Sequence, residues 1–171
     1  MKQSQEEFGV PHEFNMIGVD AAQIAESREP NLMLARIAHL ATELRESVAL
    51  VAIPNDRERE AFLRTLPLET ESIRRKIEEE FSGIVSADTL RGYLVTGVFI
   101  PTIAHALETI ENDPKVTYAD ALYTLLAKVF DAASAVVVTI TDPVLSKRAA
   151  LSIDEIRKKI AEHVRFNKVK H

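Results

Sequence analysis

The chain has 171 residues, a size that suits one domain and that buries about 70% of its unfolded surface without help from a disulfide or a metal. It has no cysteine and a net charge of −5, which excludes Cys-rich zinc sites, Fe–S clusters and thiol catalysis. Glycine, at 5 residues, and aromatics, at 6%, are too scarce for a β-sandwich or barrel, and the abundant Ala, Leu, Glu, Lys and Arg favour helix.

The first fourteen residues, MKQSQEEFGVPHEF, carry two adjacent glutamates and no apolar core of a signal peptide. Residues 1–19 read as a flexible leader, with the domain proper over 20–171. Asp20 with Gln23 is expected to cap a short helix ending near Arg28, which Pro30 punctuates. Leu34, Ile37, Ala41, Leu44, Val48 and Val51 then recur at steps of three and four, so a long helix is expected over 32–53, stopped by Pro54.

Asn55 to Glu58 has the form of a cap for a second helix, and Pro67 is expected to break it from a third over 69–81. In that third helix Ile73, Ile77 and Phe81 share a face, and Gly83 suits the position after its end. Ser86 can cap the next helix, expected from Ala87 to about Glu111. Its first half is apolar nearly all round, which suits a central position, and Pro101 should kink or split it. The small pairs Gly92/Thr96 and Gly97/Pro101 favour close approach of another helix over a pocket beside the kink.

Thr117 to Asp120 reads as a capping arrangement for the clearest helix of the chain, with Leu122, Leu126, Val129, Ala133, Val136 and Ile140 as its stripe and Asp142-Pro143 as its stop. Ser152-Ile-Asp-Glu155 is an S-x-x-E capping box, and a basic last helix is expected over 152–168. The segment around it, LSKRAALSIDEIRKKIAEH, also has the look of two short helices joined by a turn.

The fold expected is an all-α, single-domain bundle of five to six helices, centred on 86–111 and 118–141. The rival is a three-layer α/β arrangement in which SVALVAIP, GYLVTGVFIP and SAVVVTITDP form three short parallel strands. The unbroken three–four spacing through those β-branched runs favours helix. No uninterrupted apolar run approaches the roughly 20 residues of a membrane span, and a soluble cytoplasmic protein is expected.

Three histidines follow an Ile-Ala pair or nearly so. His39 and His105 stand two residues past a core isoleucine and should face outward, near Glu43 and Glu108. His163 stands three residues past Ile160, near the edge of the buried face. No metal site and no cofactor is expected from these spacings, since neither H-E-x-x-H nor a phosphate-binding glycine loop is present.

Arg157 and His163 stand in R-x5-H spacing, which resembles the R-x4–6-H motif of the HEPN family of helical-bundle ribonucleases. The resemblance covers seven residues and the bundle class, and implies that Arg157 and His163 bind and cleave RNA. The family often has Asn, Asp or His directly after the Arg, where this chain has Lys158.

Charge is distributed unevenly. Residues 144–171 hold eight basic side chains (Lys147, Arg148, Arg157, Lys158, Lys159, Arg165, Lys168 and Lys170) against three acids, a net +5 that leaves −10 for residues 1–143. A basic end on an acidic body suggests an anionic partner: nucleic acid, an acidic protein or the body of a neighbouring copy. The expected function is a non-catalytic binding or regulatory module that self-associates and uses Lys147, Arg148, Arg157, Lys158, Lys159, Arg165 and Lys168 on that partner, with the ribonuclease as the alternative. Val138, expected exposed on the back of its helix, is the sequence reason for a homo-oligomer.

Overall fold

A computed structural model describes residues 12–52, 55–80, 86–112 and 119–170. Among them are seven α-helices and no strand: α1 (His12–Glu26), α2 (Pro30–Ala52), α3 (Asp56–Glu80), α4 (Ala87–Tyr93), α5 (Ile100–Asn112), α6 (Ala119–Thr139) and α7 (Pro143–Lys170). A π-helical turn, Leu94–Phe99, joins α4 to α5 without a break. The described residues of the three rival segments lie in α2, in the α4–α5 helix, and in α6 with the corner into α7, so among the described residues the strands are absent and the all-α class holds.

The core forms where the sequence concentrates its apolar stripes. Leu122, Leu126, Val129, Ala133, Val136 and Ile140 are all buried, as are Leu94, Val98, Phe99 and Ile103 of the continuous α4–α5 helix. Full burial of a Leu, Val or Phe stabilises the fold by roughly 1.5–3 kcal/mol relative to exposure. Helix α6 lies at the centre, with α1, α5 and α7 packed on it, and α2 packs most extensively on α3. By length and mean hydropathy, the stretches Ala87–Glu111 and Asp120–Thr139 could each cross a membrane, although no single apolar run in the sequence is that long. Both turn fully buried side chains, Phe99 and Leu125 among them, into the protein core.

Several boundaries differ from expectation, each for a local reason. Helix α1 begins at His12, so the leader expected over 1–19 is helical in its second half and Asp20 lies inside a helix rather than capping one. Ile17, Ala21 and Ile24 supply the missing stripe and are buried. Pro30 is the first residue of α2, where a missing N–H costs nothing.

Asn55 does cap α3: its Oδ1 accepts from the N–H groups of Arg57 (2.9 Å) and Glu58 (3.2 Å). The backbone then runs helically through Pro67, so the two helices expected here are one of 25 residues. The Thr65 hydroxyl donates to the Phe62 carbonyl (2.6 Å) in the turn before the proline. The Phe81 and Gly83 expectations, the Pro54 stop and the Thr117 cap lie outside the described residues.

Pro101 neither splits nor sharply ends its helix. Its ring removes a donor and crowds the carbonyl four residues back, and the helix absorbs this with the wider turn before it, where the Ile100 N–H bonds the Val95 carbonyl five residues back. Ser86 caps this helix as expected, its side chain accepting from the Thr89 N–H at 3.1 Å.

Helix α7 is the largest departure. Asp142-Pro143 does more than stop α6: the Asp142 carboxylate accepts from the N–H groups of Val144 (2.9 Å) and Leu145 (3.2 Å), and Pro143 is the first residue of a helix of 28. Ser152 is therefore an interior residue whose hydroxyl donates to the Arg148 carbonyl (3.2 Å), not a cap. The two-helix reading of 145–163 fails with it. No Gly or Pro follows Pro143 to interrupt the helix.

Candidate functional site

Three places bring together side chains that sequence reasoning singled out or missed: the outer face of α7, a buried histidine at its C-terminal half, and a cavity beside the π-turn.

On α7, Ala149, Ile153 and Ile156 face the core. Lys147, Arg148, Arg157, Lys158 and Lys159 are exposed, and they share the solvent side with Asp154, Glu155 and Glu162. Arg157 is held in place: it donates to Asp154 (3.0 Å), and its guanidinium carbon lies 5.5 Å from the Phe130 ring centroid on α6. Arg165 and Lys168 fall within 164–170, whose side chains lie outside the described residues.

His163 is 5% exposed. Its Nδ1 and the Tyr123 hydroxyl of α6 are 2.8 Å apart, the rings meet edge to face, and Nε2 faces Glu111 Oε1 of α5 at 3.6 Å. Arg157 and His163 are a step of six residues apart in the helix, about 9 Å along the axis and about 120° apart around it. The two side chains engage different neighbours accordingly, Phe130 for one and Tyr123 for the other. The structure does not bring this pair together around a common point.

His39 and His105 face outward. His39 makes the i,i+4 contact expected of it, Nε2 to Glu43 Oε1 at 2.8 Å. Partial burial chiefly, with Asp20 and Glu46 nearby, raises the Glu43 carboxyl above its ordinary value, against the pull of His39. Among the described residues no group of three His, Asp or Glu side chains is placed to hold a metal ion.

His105 has a role that the sequence did not indicate. It stands at the edge of a cavity of about 530 Å³ between α2, α3 and the π-turn. Gly97 and Pro101 line this cavity, so at this pair the pocket prevails over close helix packing. Among the described residues helix α3 packs substantially on α2 alone, and the cavity lies between α3 and the α4–α5 helix. The Tyr93 ring folds back over Gly97, where a Cβ would come within 2.4 Å of it, so glycine is required for this ring position. Burial foremost, then the charge of Glu80, pushes the Tyr93 phenol up and keeps its proton in place. The spacing Gly97–Pro101 was the only available signal for this cavity, and it fits either outcome.

Neither the protein-family models, nor the curated proteins, nor the solved structures compared with this chain contain a match to it.

Proposed function

We propose that this protein is a non-catalytic helical binding and regulatory module that self-associates and engages an anionic macromolecule through the outer face of α7. The observation that carries the reading is the exposure of Lys147, Arg148, Lys158 and Lys159 along one helix whose opposite side is buried. Asp154 is engaged with Arg157, and this pair leaves the net charge of the face unchanged. A basic end of +5 beside a body of −10 attracts a polyanion to one end of the molecule and repels it from the rest, which favours one orientation of approach.

The non-catalytic part rests on His163, whose ring is buried against Tyr123 where a phosphate could not reach it without displacing packed side chains. The test is binding of labelled single-stranded RNA over a range of salt. Four phosphate contacts predict a log–log slope of about −3, and Lys158→Gln with Lys159→Gln should bring that slope to about half. Affinity that is flat in salt, or unchanged in the double variant, counts against the α7 surface. Retention of an acidic protein but not of RNA changes the class of partner. The RNA should be recovered intact, and RNA loss that His163→Ala abolishes would establish the ribonuclease instead.

A further inference from the structure

We infer that the cavity between α2, α3 and the π-turn is a binding site for a small amphipathic carboxylate, with the apolar part of the ligand inside and its anionic head at a cationic rim. The inference is independent of the α7 surface. Three observations carry it.

The first is size and shape. About 530 Å³ falls within the range of roughly 300–1,000 Å³ in which proteins hold small ligands, and the cavity exists for identifiable structural reasons. A wide turn precedes Pro101, Gly97 contributes no side chain, and among the described residues α3 packs on α2 without closing onto the α4–α5 helix.

The second is the wall. Leu44, Val48, Ile73 and Val98 line it, and an alkyl chain or ring that displaces water from them gains the free energy of apolar burial.

The third is charge. Arg45, Lys76 and His105 are exposed residues that also line the cavity, and none of the described lining residues is acidic. That sign is opposite to the whole chain, which carries 26 acids against 21 bases. Glu80 lies close enough to influence Tyr93 but is not part of the lining. A guanidinium and an ammonium at the mouth of an apolar cavity match a carboxylate that stays partly in water while its tail leaves it.

Calorimetric titration of the full chain with hexanoate, octanoate and decanoate, all below their micellar concentrations, tests this. Saturable one-to-one binding is expected, tightening about fourfold per added methylene while the tail is accommodated. Octanol and octylamine should bind at least tenfold more weakly than octanoate. Arg45→Gln with Lys76→Gln should weaken octanoate at least fivefold and leave octanol unchanged, which separates lost charge from lost fold. Ala41→Leu narrows the cavity and should weaken octanoate and octanol together, with helical circular dichroism retained. The inference is overturned by absence of saturable binding, by octylamine equal to octanoate, or by an unaltered octanoate affinity in the double variant.

Discussion

Asp88 shows how much a single carboxylate can hold together. Its oxygens accept from the Thr141 hydroxyl (2.6 Å), the Thr141 N–H (3.1 Å) and the Asp142 N–H (2.7 Å), and from Arg91 (2.8 Å). Arg91 in turn donates to the carbonyls of Ala25 (2.8 Å) and Ser27 (3.1 Å). The pair, each side chain 13% exposed, thus ties the first turn of α4 to the end of α1 and to the corner between α6 and α7. The Thr141 hydroxyl above all, with Arg91 and the two N–H groups, brings the carboxyl down from 3.8 to about 2, against partial burial that pushes it up. A carboxyl lowered by folding adds stability above its unfolded value, and loses it as pH falls from about 4 towards 2. The gain at neutral pH is about 2 kcal/mol. Asp88→Asn should therefore lose stability of that order at pH 7, and urea denaturation of the two proteins should converge as the pH approaches 2. A difference that stays constant down to pH 2 would show that the charge is not what Asp88 contributes. Sequence spacing makes Asp88 and Arg91 helix neighbours, but their other partners lie more than fifty residues away and were not legible. The same is true of His163: its place near the buried face follows from the spacing to Ile160, while Tyr123, forty residues distant, does not.

At the scale of elements, legibility follows the strength of the apolar stripe. The stripe of α6 is found buried at every one of its six expected positions. Where stripes are weak, local signals misled: proline was given more power to end helices than it has at a first position or beside a π-turn, and a capping box was read where the helix is already formed. The α6–α7 corner allows a direct comparison of two such signals. Asp142 accepts from two N–H groups at the start of α7, so Asp142→Ala should cost about 1 kcal/mol. Ser152 only bonds the carbonyl one turn back, and alanine is the better helix former, so Ser152→Ala should stay within about 0.5 kcal/mol of the original chain. A helix that began at Ser152 demands the reverse order. Denaturant midpoints of the two variants decide between the readings, because the substitutions are far too small to alter the surface exposed on unfolding.

For the whole molecule, what remains is how its surface is completed. Val138 at the end of α6 is 84% exposed, and Val144 and Leu151 on α7 are 67% and 54% exposed. The last two stand seven residues apart and so share one side of the helix. Single exposed apolar residues are ordinary, and these three fall on the two helices that meet at the α6–α7 corner. The charge asymmetry offers a second means of association, basic end to acidic body, and the two respond oppositely to salt. Association through the apolar corner should persist or strengthen at high salt, and association through charge should weaken. Sedimentation equilibrium over a range of concentration, at low and high salt, reads both. We expect a concentration-dependent mass at each salt level, weakened at least tenfold by Val138→Ser, Val144→Ser and Leu151→Ser together, and restored by none of the salts. Association that vanishes at high salt and is indifferent to the triple variant would assign self-assembly to the basic end of α7. A monomer at every concentration would remove self-association from the proposal and leave α7 free for its anionic partner alone.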